Sequence, residues 1–173
     1  MTIRQTTLAA AFALAAIGPA HAEGLKPRCR LAAAQTKRCK AMTTTEAQNK
    51  AFVLEAFDTL FNKRDYAAAE RFWSPAYIQH SAHIAPGREG LFDLVKAAPQ
   101  ELHYENALIA AAGDYVMLHG RFSGIGQPVN WVVVDILRIE NGLLAEHWDV
   151  IQDEATRESS KSGRPMFGDK FPA

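Results

Sequence analysis

The sequence predicts an α+β fold: helices first, then a curved antiparallel sheet. Three observations predict it. Residues 46–97 place apolar side chains at helical spacing, and residues 102–152 carry strand-like runs rich in Val, Ile and Leu. The joints between those runs are Gly113-Asp114, a Gly-containing loop at 123–128 and Asn141-Gly142. Joints this short connect antiparallel neighbours, because a parallel connection needs a crossover of a dozen or more residues.

Thr45 and Gln48 have the spacing of a capping box, which predicts a helix start there. Phe52, Val53, Ala56, Phe57, Leu60 and Phe61 then form one apolar stripe. Residues 62–65 end that helix. Residues 66–73 read as a second, short helix stopped before Ser74-Pro75, and residues 77–80 as a short semi-extended piece. After the Pro86-Gly87 turn, residues 88–97 read as a third helix that buries Leu91, Leu94 and Val95, with Pro99 beyond its end. Four strands follow, at 102–111, 115–122, 130–140 and 143–152. A twisted sheet of about four long strands can wrap the helices and leave a cone-shaped interior open at one end. The polar tail from Ala155, ending in Met166-Phe167, reads as a flap.

The termini set the boundaries. Arg4, an uncharged apolar run over residues 8–17, a break at Gly18-Pro19 and the small-residue site Ala20-His21-Ala22 have the three parts of a secretion signal. The run is too short for a membrane span, which needs about 20 apolar residues. Residues 1–22 are therefore expected to be cleaved, giving an exported (periplasmic or secreted) protein with no membrane segment. Residues 23–44 form an N-terminal arm, 45–154 the domain and 155–173 the tail. Cys29 and Cys39 are expected to pair, since export leads to an oxidising compartment. The 19 Lys and Arg balance the 19 Asp and Glu, which argues against a nucleic-acid partner.

The informative residues are polar ones inside apolar strands. Asp135 interrupts a Val-Ile-Leu run, His119 follows Val116-Met117-Leu118, and His147 and Asp149 flank Trp148. A buried carboxylate is costly unless it is hydrogen-bonded or protonated. Alternation puts Asp135 with Trp131, Val133 and Leu137, and His147 with Asp149 and Ile151. A two-residue turn at Asn141-Gly142 would set Asp135 opposite Trp148. A three-residue loop with a glycine bulge would bring Asp135 to the face of His147 and Asp149. The sequence allows both. Only the second gathers a cluster fit for general acid–base chemistry. The bland alternative pairs Asp135 with Arg138 or Arg121 and turns His147 and Asp149 to water. His80, His83 and His119 are too loosely spaced to predict a metal site. No glycine-rich phosphate loop or nucleophile elbow occurs, so no cofactor is expected.

The stretch from Asp135 to Asp149, with its Asn141-Gly142 turn and His147-Trp148-Asp149 end, resembles the closing hairpin of SnoaL-like proteins of the nuclear transport factor 2-like superfamily. Tyr77-Ile78-Gln79-His80 with Gly87-Arg88-Glu89-Gly90, and Gly163-Arg164-Pro165-Met166-Phe167, resemble two further blocks. The resemblance implies an NTF2-like cone with a deep pocket, and homodimers are common among such proteins. It also implies a cofactor-independent isomerase, cyclase or lyase acting on a small hydrophobic carbonyl compound. On that basis Asp149 is the candidate acid/base, with Asp135 and His80 as catalytic partners, His80 on the opposite wall. Tyr77, Trp131 and Trp148, with His119 and His147, are the candidate substrate-binding residues. Polyketide cyclases of this kind work beside cytoplasmic synthases, so export argues against a literal cyclase role. A non-catalytic exported ligand-binding protein of the same fold is the alternative.

Overall fold

A computed structural model describes residues 32–172, with side chains from residue 45 onward. The signal segment 1–22 and the Cys29–Cys39 pairing lie outside the described residues. The chain runs α1 (Ala32–Phe57), a π-helical turn (Asp58–Asn62), α2 (Tyr66–Ala69), β1 (Trp73–Gln79), α3 (Gly87–Ala97), β2 (His103–Ala112), β3 (Tyr115–Ser123), β4 (Trp131–Glu140) and β5 (Leu143–Asp153). The five strands make one unclosed sheet in the order β1-β5-β4-β3-β2, antiparallel except where β1 joins β5 in parallel. No helix among the described residues is long and apolar enough to cross a membrane.

Helices fill the N-terminal half and four of the five strands follow them, an α+β fold as the sequence predicts, but β1 precedes α3 and its parallel pairing makes the sheet mixed where an antiparallel one is expected. Three further details differ. Helix α1 begins inside the arm, so Thr45 and Gln48 sit within a helix instead of opening one. The second helix ends at Ala69, and residues from Trp73 form β1. Ser74-Pro75 does not prevent this, because β1 is an edge strand and an edge tolerates proline. Leu94 of α3 is 43% exposed, and Phe92 takes its place in the core beside Leu91 and Val95.

The apolar stripe of α1 continues through the π turn, which buries Thr59, Leu60 and Phe61 consecutively. Asn62 then docks this end on the sheet. Its Nδ2 donates to the Tyr104 carbonyl at 3.2 Å, and its Oδ1 accepts from the Tyr104 N–H at 2.8 Å. Tyr104 in turn lies over Gly120 of β3, where a Cβ would stand 2.5 Å from its ring. Helix α3 keeps an acid, Glu89, in its first turn and Lys96 in its last, matching the helix dipole. The Arg64 guanidinium binds the carbonyls of Val95, Ala98 and Pro99 just past that end. Helices and sheet thus enclose one core and leave a cavity of about 340 Å³ between α3, the π turn and the inner sheet face.

Candidate functional site

The turn and the strand together decide which residues line this cavity. Asn141 and Gly142 have φ of 52° and 77°, the paired left-handed conformations of a two-residue hairpin turn. Glu140 therefore pairs with Leu143, and Ile139 with Leu144. The register then shifts: Arg138 pairs with Glu146, leaving Ala145 as the extra residue of a bulge. From there Leu137 faces His147 and Asp135 faces Asp149. The two-residue turn is thus the one that forms, yet Asp135 does not fall opposite Trp148. The bulge, set back from the turn, restores the face.

Asp135, His147 and Asp149 accordingly line the cavity together with Trp131, Val133 and Ile151. Asp135 and His147 are buried at 4% and 5% exposure. His147 Nε2 lies 3.1 Å from Asp135 Oδ1, and its Nδ1 lies 2.8 Å from Gln79 Oε1. Neither arginine of the bland alternative reaches Asp135. Arg138 binds Glu146, and Arg121 binds Glu105 and Glu154. Burial pushes the Asp135 carboxyl above the usual carboxylate range, and His147 only partly opposes this; the neighbouring Asp149 pushes it further up. Its Oδ2 is buried with no hydrogen-bond partner among the described residues.

Tyr77 of β1 also lines the cavity. Burial is the main reason its hydroxyl is held above its ordinary range; Trp73 pulls the other way, and the charges of Asp135 and Asp149 add to the rise. It is therefore a neutral hydroxyl at the cavity wall. The remaining wall is mainly apolar and aromatic, with Phe57, Phe61, Trp73 and Phe122 prominent and Ser81, His83 and Gln127 as its other polar residues.

Three expected site residues lie elsewhere. His80 stacks on Trp148 with ring centroids 4.9 Å apart and planes at 3°, and its Nε2 meets Glu146 Oε1 at 2.9 Å. Both rings are on the outer sheet face. His119 is on that face too, against Phe167 of the tail. The physical reason is the two-residue period of a strand. Trp148 stands between His147 and Asp149, so it points away from them. His80 follows Gln79, whose side chain faces His147, and His119 lies between the inward Leu118 and Gly120. His83 does line the cavity, 5.4 Å from the Trp131 ring, so the three histidines are apart. Among the described residues no group of three or more His, Cys, Asp or Glu is placed to hold a metal.

No sequence signal assigns a role to Gln79 or Ser81, and His83 enters there only through the loose metal spacing with His80 and His119. Gln79 was findable: once residues 73–79 are taken as a strand, Tyr77 and Gln79 share a face.

A family model described as a SnoaL-like domain matches residues 53–147. Among solved structures, AclR of Streptomyces galilaeus, described as a candidate hydroxylase, is 30% identical; the match covers 62% of this chain and 90% of that one, with a TM-score of 0.51. A protein of Kribbella flavida described as a candidate ketosteroid isomerase is 19% identical over 73% of this chain and 97% of its own, with a TM-score of 0.58. A SnoaL-like polyketide cyclase of Agrobacterium tumefaciens is 14% identical over 60% and 91%, with a TM-score of 0.51. The last two show the fold alone. No curated protein matches the chain.

Proposed function

Because the chain belongs to the SnoaL-like domain family, we propose that it is a cofactor-independent acid–base enzyme acting on a small, uncharged, apolar carbonyl compound. One observation carries this reading: two carboxyl groups, Asp135 and Asp149, are register partners inside an apolar cavity, and one of them is hydrogen-bonded to an imidazole. Their surroundings divide the labour. Asp149, the less buried, removes a proton next to the substrate carbonyl. The Asp135–His147 pair, beside which the Tyr77 hydroxyl lies, returns a proton as the enolate forms. Among the described residues no lysine or arginine lines the cavity, so an anionic substrate would meet two carboxyl groups without a fixed positive charge to hold it. The aromatic wall suits a ring-shaped body.

The test is deuterium uptake next to the carbonyl of 2-tetralone and related bicyclic ketones in D₂O, followed by NMR. Asp149→Asn should slow uptake by about 100-fold or more while circular dichroism and melting stay close to the parent. Equal uptake by the parent and Asp149→Asn would remove Asp149 from the mechanism. Retention of these ketones with no uptake at all would make the protein a binding module.

Two further properties belong to this reading. The protein acts outside the cytoplasm, a proposal that rests on residues 1–22 alone; N-terminal sequencing of the exported product should begin at Glu23. It works as a homodimer joined through the outer sheet face, where exposed apolar side chains gather.

A further inference from the structure

Gln79 takes no part in these proton transfers, yet its side chain holds both an imidazole nitrogen and a backbone amide. We propose that Gln79 is a positioning residue that keeps the His147 proton on Nδ1, so that Nε2 and Asp135 Oδ1 share a single proton between them. The inference rests on the acid–base reading for its purpose, though not for its geometry.

The geometry starts from a group with no choice. A backbone N–H can only donate, and that of Ser81 lies 2.9 Å from Gln79 Oε1. The amide end it meets is therefore the carbonyl oxygen; the NH₂ end would oppose donor to donor. The same oxygen lies 2.8 Å from His147 Nδ1. A carbonyl oxygen cannot donate, so Nδ1 carries the hydrogen. These two contacts use both lone pairs of Oε1. The backbone fixes the arrangement: Gln79 and His147 are register partners of β1 and β5, and the next N–H, that of His80, donates to the His147 carbonyl at 3.0 Å.

With Nδ1 occupied, the contact from Nε2 to Oδ1 at 3.1 Å needs one hydrogen. It sits on Oδ1 beside a neutral ring, or on Nε2 beside a carboxylate. Both forms hold the same number of protons and no net charge. The groups facing the pair are Asp149 on β5, Tyr77 on β1 and Tyr104 on β2; burial holds both phenols above their ordinary range, so they stay neutral. The cavity therefore keeps one transferable proton beside Asp149, the cross-strand partner of Asp135. Without an acceptor at position 79, the ring can turn its lone proton to Nε2, ionise Asp135 and lose that store.

The experiment is ¹⁵N NMR of the full chain labelled at histidine, with no substrate present. In the parent protein Nδ1 of His147 should be protonated at every pH at which the fold persists. Gln79→Met, of similar shape but with no comparable acceptor, should move the neutral ring to the Nε2–H form. Gln79→Glu should keep Nδ1–H and favour the doubly protonated ring, and it serves alone if the methionine variant does not fold. A parent ring with bare Nδ1, or a Glu variant whose ring is unchanged, overturns the proposal. The acid–base reading fails separately, on the Asp149→Asn uptake measurement, so the two outcomes cannot be confused.

Discussion

A carboxylate taken out of water loses solvation that one imidazole at 3.1 Å does not replace, which is why the Asp135 pKa rises above 3.8. The sign of the effect on folding follows. A raised pKa means that the folded state holds the proton more tightly than the unfolded chain. The associated stability is whole below 3.8 and is lost as pH rises through the folded-state value. An uncharged isostere escapes that loss. In Asp135→Asn the side-chain NH₂ can donate to His147 Nε2, standing in for the protonated acid. The variant should melt higher than the parent at pH 7, by about 2–4 °C for each kcal/mol gained, and the advantage should shrink toward pH 4. Thermal melts at the two pH values check this. A lower melting point at pH 7, or the same gain at both, would contradict the account. At this scale the sequence was readable wherever chemistry clashed with its surroundings. Asp135, His147 and Asp149 stand out among Val, Ile and Trp. Gln79 does not, because a glutamine in a short polar stretch announces no partner.

At the scale of elements, the hairpin shows what periodicity cannot supply. Asn141-Gly142 specifies its turn, but the face of Asp149 is set by Ala145, whose only trace in the sequence is that the apolar run Leu143-Leu144-Ala145 does not alternate at its last two residues, Leu144 and Ala145. Both are buried, which a regular strand with one wet face would not allow. Strand β1 was hidden for a related reason. It is paired only to β5, distant in sequence, and its proline discouraged a strand reading. Two glycines separate conformational cost from steric cost. Gly142 has φ of 77° and open space where a Cβ would go, so Gly142→Ala should cost about 1 kcal/mol through the backbone alone. Gly120 lies beneath the Tyr104 ring, with a Cβ 2.5 Å from it, so Gly120→Ala must move a buried aromatic side chain. A loss of about 1–3 kcal/mol is expected there, and the displaced Tyr104 ring presses on Phe57, Phe61 and Phe122, which line the cavity. Urea unfolding of both variants, combined with the ketone uptake assay, distinguishes them: Gly142→Ala keeps uptake and Gly120→Ala reduces it.

For the whole molecule, the same alternation that fills the cavity also loads the opposite face. Val150, Val134, His119 and Leu108 are successive cross-strand partners over β5, β4, β3 and β2. Trp148, Ile136, Met117 and Ala110 form a second such row beside them. Leu108 is 65% and Val150 67% exposed, and Met117 and Val134 more than a third. An outer face turned only to water would carry polar residues at these positions, and a contiguous apolar patch across four strands marks a contact surface. The tail covers part of the patch, because Phe167 packs on His119 within the first row and on Arg121 beside it. The flanks are polar: Arg138, Glu146 and His80 form a linked hydrogen-bonded group beside Trp148. An apolar centre with a polar rim is the usual anatomy of an association surface, and a stable one covers about 800 Å² per partner. Size-exclusion chromatography with light scattering should therefore give twice the chain mass at micromolar concentration. Val134→Lys combined with Val150→Lys places two like charges at the centre of the patch and should yield monomers. Neither side chain lines the cavity, so folding and ligand retention by the separated chains should persist. A parent protein that is monomeric at tens of micromolar would leave the patch without this partner.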